Sequence, residues 1–200
     1  MNTISDFLFW ISTGLMVPVI VLLIVLFIRA IILIGGFFGE YLSIRKIDKV
    51  LQQELENLDI NKLDCLADKF SAKTNSLVVT YMRQMLRPEN DSAHIQRLVT
   101  NFEIAADKHL ALPKTLTKMG PLLGLMGTLI PMGPALVGLS TGDISSMAYN
   151  MQVAFATTVV GLFIGAIGFL SQQVKQRWYL QDLTNLEFVA GLLNEKNKMK

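Results

Sequence analysis

Residues 119–139 read MGPLLGLMGTLIPMGPALVGL and, after only four further residues, residues 144–174 read ISSMAYNMQVAFATTVVGLFIGAIGFLSQQV. Each stretch is long enough for a membrane-spanning helix, which needs about 20 predominantly apolar residues. A third apolar stretch occupies residues 7–38. With 52% hydrophobic residues and a mean hydropathy of +0.44, the 200-residue chain is too apolar for a soluble globule. The sequence predicts an all-α integral membrane protein with three transmembrane helices.

The Lys and Arg residues of the connecting segments predict the orientation of these helices. Residues 39–114 carry eleven of them and residues 175–200 carry five, whereas residues 1–6 and 138–149 carry none. Because Lys and Arg are retained on the cytoplasmic side, we expect the N-terminus and the short turn outside and the large loop and C-terminus inside. The cations alternate with acids, which argues against a nucleic-acid surface.

This topology divides the chain into four predicted segments. They are a first transmembrane helix (1–38), a cytoplasmic helical domain (39–114), a transmembrane hairpin (115–174) and a cytoplasmic C-terminal helix (175–200). An apolar stripe over 44–58 predicts that the first helix continues into the cytoplasm, and candidate turn residues follow between Asn61 and Asn75.

Two further amphipathic helices are predicted in the cytoplasmic domain, at 76–86 and from Ser92 to about Leu110. Leu112 and Pro113 then mark the start of the second transmembrane helix. One face of the helix that begins at Ser92 carries Ile95, Leu98, Val99, Phe102 and Ala106.

A few isolated residues limit the chemistry. Arg29 is the one charge in the first apolar stretch, so we place it at the cytoplasmic interface, with an anionic lipid or an acid of another subunit as the alternative partner. Cys65 is the only cysteine, which excludes an intrachain disulfide. His94 and His109 have no second ligand at metal-binding spacing. We predict no catalytic residues, no metal site, no cofactor and no enzymatic activity.

Small residues lie on one face of each hairpin helix, at the helical spacing that lets backbones approach closely in lipid. We predict that this face packs helices together and that copies of the chain meet there, so that Gly161→Leu or Gly165→Leu should break the assembly. The predicted packing residues are Gly120, Gly124, Gly127, Ala154, Gly161, Gly165 and Gly168.

Three hydroxyls lie within the same two helices, at Thr128, Thr157 and Thr158. A hydroxyl in a membrane either forms a hydrogen bond with a carbonyl of its own helix or lines a water-filled path, and spacing alone does not distinguish the two.

Two motifs carry a resemblance to a known family. GPLLGLMGT at 120–128 and AFATTVVGLF at 154–163 resemble the paired signature of the MotA/TolQ/ExbB proton-channel family, closely so over about 115–180. The three-helix arrangement is similar to the TolQ/ExbB branch, since flagellar stator subunits usually have four helices.

The resemblance implies a homopentameric ring in the cytoplasmic (inner) membrane, around two copies of a MotB/TolR/ExbD-like single-span partner whose aspartate carries the ion. It implies that Thr128 and Thr158 face the pore, and we assign Thr157 to the ion pathway as well. Val153 stands where some TolQ/ExbB proteins have a glutamate. Since Asp143 is the only acid in residues 119–174, the titratable group at depth must come from the partner.

The predicted function is that of an ion-channel or stator subunit, which couples H⁺ or Na⁺ flow to mechanical work. One alternative is a non-conducting helical scaffold that anchors a complex in the membrane. The other is a flagellar-type stator subunit.

Overall fold

The computed structural model describes residues 2–56, 76–87 and 91–198. Within these ranges all regular structure is helical. The helices are α1 (Asn2–Glu56), α2 (Leu77–Met85), α3 (Ser92–Thr141) and α4 (Ile144–Lys198). Three of them, α1, α3 and α4, are long and apolar enough to cross a membrane. The predicted all-α class and number of spans are therefore confirmed.

The predicted bounds of α2 and the predicted continuation of α1 beyond its apolar stretch are confirmed. α2 begins after Ser76 and ends before Leu86, and α1 continues through the predicted cytoplasmic stripe as far as Glu56. Position 58, Cys65 and the turn residues between Asn61 and Asn75 lie outside the described residues.

The predicted end of a helix near Leu110 is wrong, because α3 runs without interruption through Leu110 and Pro113; the two compact units nevertheless divide between Ala111 and Leu112. A proline inside a helix removes one backbone hydrogen bond, but α3 is held by packing on both sides of it. Leu110 belongs to one hydrophobic core and Leu116 to another. The Thr117 hydroxyl also donates to the Pro113 carbonyl at 2.9 Å.

The chain forms two compact units, and the first consists of Met1–Gly36 and Leu112–Gln172. All three long helices contribute to its core, which contains Val19, Leu23, Ala30, Leu116, Leu123, Ile164 and Ile167. Most other large apolar side chains of this unit are exposed, such as Leu129 at 62% and Val159 at 67%. Such a surface suits lipid or another membrane helix rather than water.

The second unit consists of Phe37–Ala111 and Gln173–Lys200. α2 packs there against α3 and α4 around Phe102, which is fully buried and meets the Tyr81 ring edge-on at 5.7 Å. The predicted apolar face of α3 is confirmed, since Ile95, Val99, Phe102 and Ala106 are buried and Leu98 is partly buried. Between α1 and α4, Lys175 forms an ion pair with Glu40.

A two-residue turn joins α3 to α4. Gly142 has a φ of +76°, which only glycine adopts without strain, and so ends α3. The Asp143 carboxylate accepts the Ser146 backbone N–H at 3.0 Å and so caps α4. This short turn brings the two helices together as an antiparallel hairpin.

Candidate functional site in the helical hairpin

The backbones of α3 and α4 touch along a row of glycines. A Cβ placed on Gly161 would lie 2.6 Å from the Gly120 carbonyl oxygen and 2.7 Å from the Gly124 Cα. Real Cβ atoms do not come this close, so any other residue at position 161 would force the helices apart. We call this contact the glycine seam; it is the close approach that small residues permit in lipid.

The glycine seam continues in both directions from Gly161. Towards the turn, a Cβ on Gly127 would lie 2.6 Å from the Thr157 side chain. In the other direction, a Cβ on Gly165 would lie 2.7 Å from the Pro121 ring, and a Cβ on Gly168 would lie 2.5 Å from the Thr117 backbone nitrogen. Ala154 is also buried.

The glycine seam corrects the expectation that copies of the chain meet on the small-residue face. Gly120, Gly124 and Gly161 contact one another within a single chain. A second copy therefore has no access to this face. Substitutions such as Gly161→Leu would act first on the hairpin itself.

Thr157 lies inside the glycine seam. It is only 8% exposed, and its hydroxyl lies 2.9 Å from the Ala154 carbonyl oxygen and 3.1 Å from that of Val153. Its side chain fills the space that Gly127 leaves open. In this structure its hydroxyl is turned to its own helix, between α3 and α4.

Thr128 and Thr158 are partly exposed at the edge of the glycine seam. Leu123 of α3 packs in the core with α1. Going around the axis of α3 from Leu123, one meets first Gly127, which faces α4, and then Thr128. In α4 the same order runs from Ile164 through Gly161 to Thr158. Both threonines therefore lie on the side of the hairpin that faces away from α1.

The hydroxyls of these two threonines bond back to their own helices. Thr128 donates to the Leu125 carbonyl at 2.7 Å, and Thr158 donates to the Ala154 carbonyl at 3.0 Å. A hydroxyl has one proton but two lone pairs. Both oxygens thus keep the capacity to accept a hydrogen bond from water or a protonated acid.

Other polar side chains in the hairpin were not singled out from the sequence. The Asn150 amide donates to the Ser146 carbonyl at 2.9 Å, so its helix satisfies it. Gln152 is exposed on α4. A single glutamine in an apolar run has no sequence signal that separates a lipid-facing position from a buried one, which is why only the structure identifies it.

The described residues hold no group of three or more His, Cys, Asp or Glu side chains that could bind a metal ion. His94 is engaged at the start of α3, where its backbone N–H donates to the Asp91 carboxylate at 2.8 Å. His109 lies beside the Tyr179 ring, with 6.2 Å between ring centroids.

The sequence of this helical hairpin was compared with models of known protein families. Residues 45–187, which include the whole glycine seam and all three threonines, match the MotA/TolQ/ExbB proton channel family. The chain belongs to this family. The predicted membership is confirmed, and with it the assignment as a membrane proton-channel protein. None of the curated proteins compared with the chain matches it.

Proposed function

We propose that this MotA/TolQ/ExbB-family chain is the channel subunit of a motor complex driven by an ion gradient. Five copies form a ring in the inner membrane around two copies of a single-span partner, whose aspartate carries H⁺ or Na⁺. The N-terminus and the Gly142–Asp143 turn lie outside, in agreement with the absence of Lys and Arg from residues 1–6 and 138–149.

The placement of Thr128 and Thr158 carries this proposal. Both lie partly exposed at one edge of the glycine seam, away from α1. Each hydroxyl oxygen can accept a hydrogen bond while its proton remains on its own helix. A protonated carboxyl group of the partner could donate to Thr158 and, after losing its proton, leave this contact. The threonines thus distinguish the two protonation states of the partner.

The hairpin supplies no ion carrier of its own. Asp143 is the only acid in residues 119–174, and it lies in the turn, where its carboxylate caps α4. Apolar side chains such as Leu129 and Phe155 dominate the exposed surface of the hairpin, and apolar constrictions exclude water and ions. The ring alone should therefore not conduct. Each charge that crosses with the partner present yields about 2.3 kcal/mol per 100 mV for mechanical work.

The test is ion flux in liposomes that contain the chain and its partner, with Thr158→Val and Thr157→Val compared. Valine keeps the shape of threonine and removes the hydroxyl. Thr157→Val is the matched control, because its hydroxyl also bonds back to α4 but lies buried in the glycine seam. A hydrogen bond between neutral groups contributes about 0.5–1.5 kcal/mol, so flux in Thr158→Val should fall about 2- to 10-fold.

Assembly is measured by native mass spectrometry in the same membranes. Equal flux in Thr158→Val and the unmodified chain, with normal assembly, would remove Thr158 from the mechanism. Rapid flux through the ring without the partner would contradict the proposal that the partner carries the ion.

A non-conducting membrane scaffold is the second candidate. One observation favours it: all three threonine hydroxyls are satisfied by carbonyls of their own helices. In that case no partner would produce flux, and Thr128→Val and Thr158→Val would leave the output of the complex unchanged.

A further inference from the structure

Two contacts of α1 fix the level of Arg29 within the first unit. A Cβ on Gly133, towards the turn of the hairpin, would lie 3.4 Å from the Phe9 ring. Farther from the turn, the Phe27 ring lies beside the Phe163 ring, with 6.0 Å between centroids. α1 therefore runs away from the turn in the same direction as α4. Arg29 follows Phe27 by two residues, or about 3 Å.

Lys118 of α3 lies at nearly the same level. Across the glycine seam, Gly168 of α4 faces Thr117, the direct neighbour of Lys118. Gly168 follows Phe163 by five residues, or about 7.5 Å along α4. Since α3 runs in the opposite direction, Lys118 is about 1.5 Å nearer to the turn than Thr117. Arg29 and Lys118 are therefore separated along the helix axes by less than one helical turn.

Both side chains lie on the side of α1 and α3 that faces away from α4. On α1, Phe27 lies beside α4, Ala30 is fully buried in the core, and Arg29 comes next around the axis, about 100° past Ala30. On α3, Gly133 faces α1, and Lys118 lies about 60° past it, away from the glycine seam. Both cations are exposed.

No acid of this chain balances these two charges. The two cations form no ion pair within the part of the chain that the structure describes. Residues 7–41 and 112–177 contain five Lys or Arg residues but only two acids, Glu40 and Asp143. Glu40 pairs with Lys175, and Asp143 caps α4 at the turn. A neighbouring copy has the same stretches, so it has no spare acid at this level either.

Lipid phosphates are the negative charges found at this depth. The level of Arg29 on α4 is near Gly165, which at 1.5 Å per residue lies about 33 Å along the helix from Asp143. The hydrocarbon core of a bilayer is about 30 Å thick. With the turn at one membrane surface, the two cations therefore lie at the other. Arginine binds phosphate through two parallel hydrogen bonds, and lysine binds it as a point charge.

We propose that Arg29 and Lys118 bind the phosphate of one anionic phospholipid, in the leaflet opposite the Gly142–Asp143 turn. The guanidinium and the ammonium group both donate to phosphate oxygens, as in the basic pockets between membrane helices that bind anionic headgroups. The bound phosphate also screens the repulsion between the two cations. This site requires only that α1, α3 and α4 cross the membrane, and it is independent of ion conduction and of the partner.

The test is native mass spectrometry of the chain, without partner, released from bilayers of equal parts dioleoyl phosphatidylglycerol and dioleoyl phosphatidylcholine. The ratio of the two lipids that stay bound is measured. Lys108→Gln is the matched control, since Lys108 is exposed on α3 but lies about 15 Å before Lys118. The unmodified chain and this control should prefer phosphatidylglycerol. Arg29→Gln and Lys118→Gln should each lower the preference about fivefold, which corresponds to about 1 kcal/mol.

Two further variants keep the test decisive. Arg29→Lys keeps the charge but loses the paired hydrogen bonds, so it should retain part of the preference, whereas the double Gln variant should abolish it. An unchanged preference in Arg29→Gln and Lys118→Gln would overturn the proposal. So would an equal loss in Lys108→Gln, because net charge rather than this site would then attract the lipid. A chain without any preference, whose oligomer dissociates in Arg29→Gln, would overturn it in favour of an acid from another chain.

Discussion

Gly161→Ala adds one methyl group at the centre of the glycine seam. The new carbon would lie 2.6 Å from the Gly120 carbonyl oxygen, 2.7 Å from the Gly124 Cα and 3.0 Å from the Gly124 nitrogen. All three are backbone atoms of α3, so no side chain can rotate out of the way. The two helices must separate instead.

The size of the effect follows from these distances. Carbon contacts are most favourable at about 3.5–4.0 Å, so α3 must move back by about 1 Å around Gly124. Overpacking of this kind costs about 1–3 kcal/mol, while the higher helix propensity of alanine returns up to about 1 kcal/mol. Because all three contacts are with backbone atoms, the overpacking cost lies at the upper end of its range, and the net loss of about 2 kcal/mol should lower Tm by about 4–8 °C for a chain of this size.

Thermal unfolding in detergent, followed by circular dichroism, measures this difference. Gly191→Ala is the control: it lies in the same helix, and nothing lies within 4 Å of the position that its Cβ would take. Its Tm should stay the same or rise. Gly124→Ala, whose nearest contact is 3.2 Å, should fall between the two. A Gly161→Ala variant as stable as the unmodified chain would refute the seam as described.

Two predictions concern charges outside the hairpin. Lys175→Met leaves the half-buried Glu40 carboxylate without its ion-pair partner, so the free energy of unfolding should fall by about 1–2 kcal/mol. Adding Glu40→Gln to this variant should recover part of the lost stability. If the effects of the two substitutions were strictly additive, the ion pair would not be the cause. The His94 backbone N–H, which donates to the Asp91 carboxylate, lowers the pKa of Asp91 below its usual 3.8. Asp91 should therefore stabilise the start of α3 above that pH and cease to do so as the pH falls through the lowered pKa. Asp91→Asn keeps a cap without a charge, and thermal unfolding across this range should show a weaker pH dependence; an unchanged profile would exclude Asp91 as its source.

The sequence determined the three spans and the ends of α2, because hydropathy, apolar spacing and the polar residues beside Leu77 and Met85 all agree. It predicted a helix break at Pro113 that does not occur, because packing on both sides of this proline keeps α3 continuous. The four- and three-residue steps of the glycines predicted a close-packed face. Spacing cannot say whether the facing helix belongs to the same chain, and the contact of Gly161 with Gly124 was needed to decide this.

The site was predicted unevenly for the same reason. Thr128 and Thr158 emerge from the motifs and lie on one side of the hairpin, whereas Thr157 is buried in the glycine seam although it is the direct neighbour of Thr158. The two side chains are about 100° apart around the helix. Which of them is buried depends on where α3 packs against α4, and the sequence does not show this.

The two-residue turn has a consequence for how the protein enters the membrane. In the proposed topology, the connection that must be translocated to the outside consists of little more than Gly142 and Asp143, with the Asp143 carboxylate already engaged by the start of α4. Moving one such group through the bilayer during synthesis is a far smaller barrier than moving a polar loop. Because the glycines carry no side chains, the backbones of α3 and α4 meet directly at Gly161 and Gly124, which favours insertion of the hairpin as one element. Biogenesis would then need the insertion machinery to admit two helices together, after α1 has been placed.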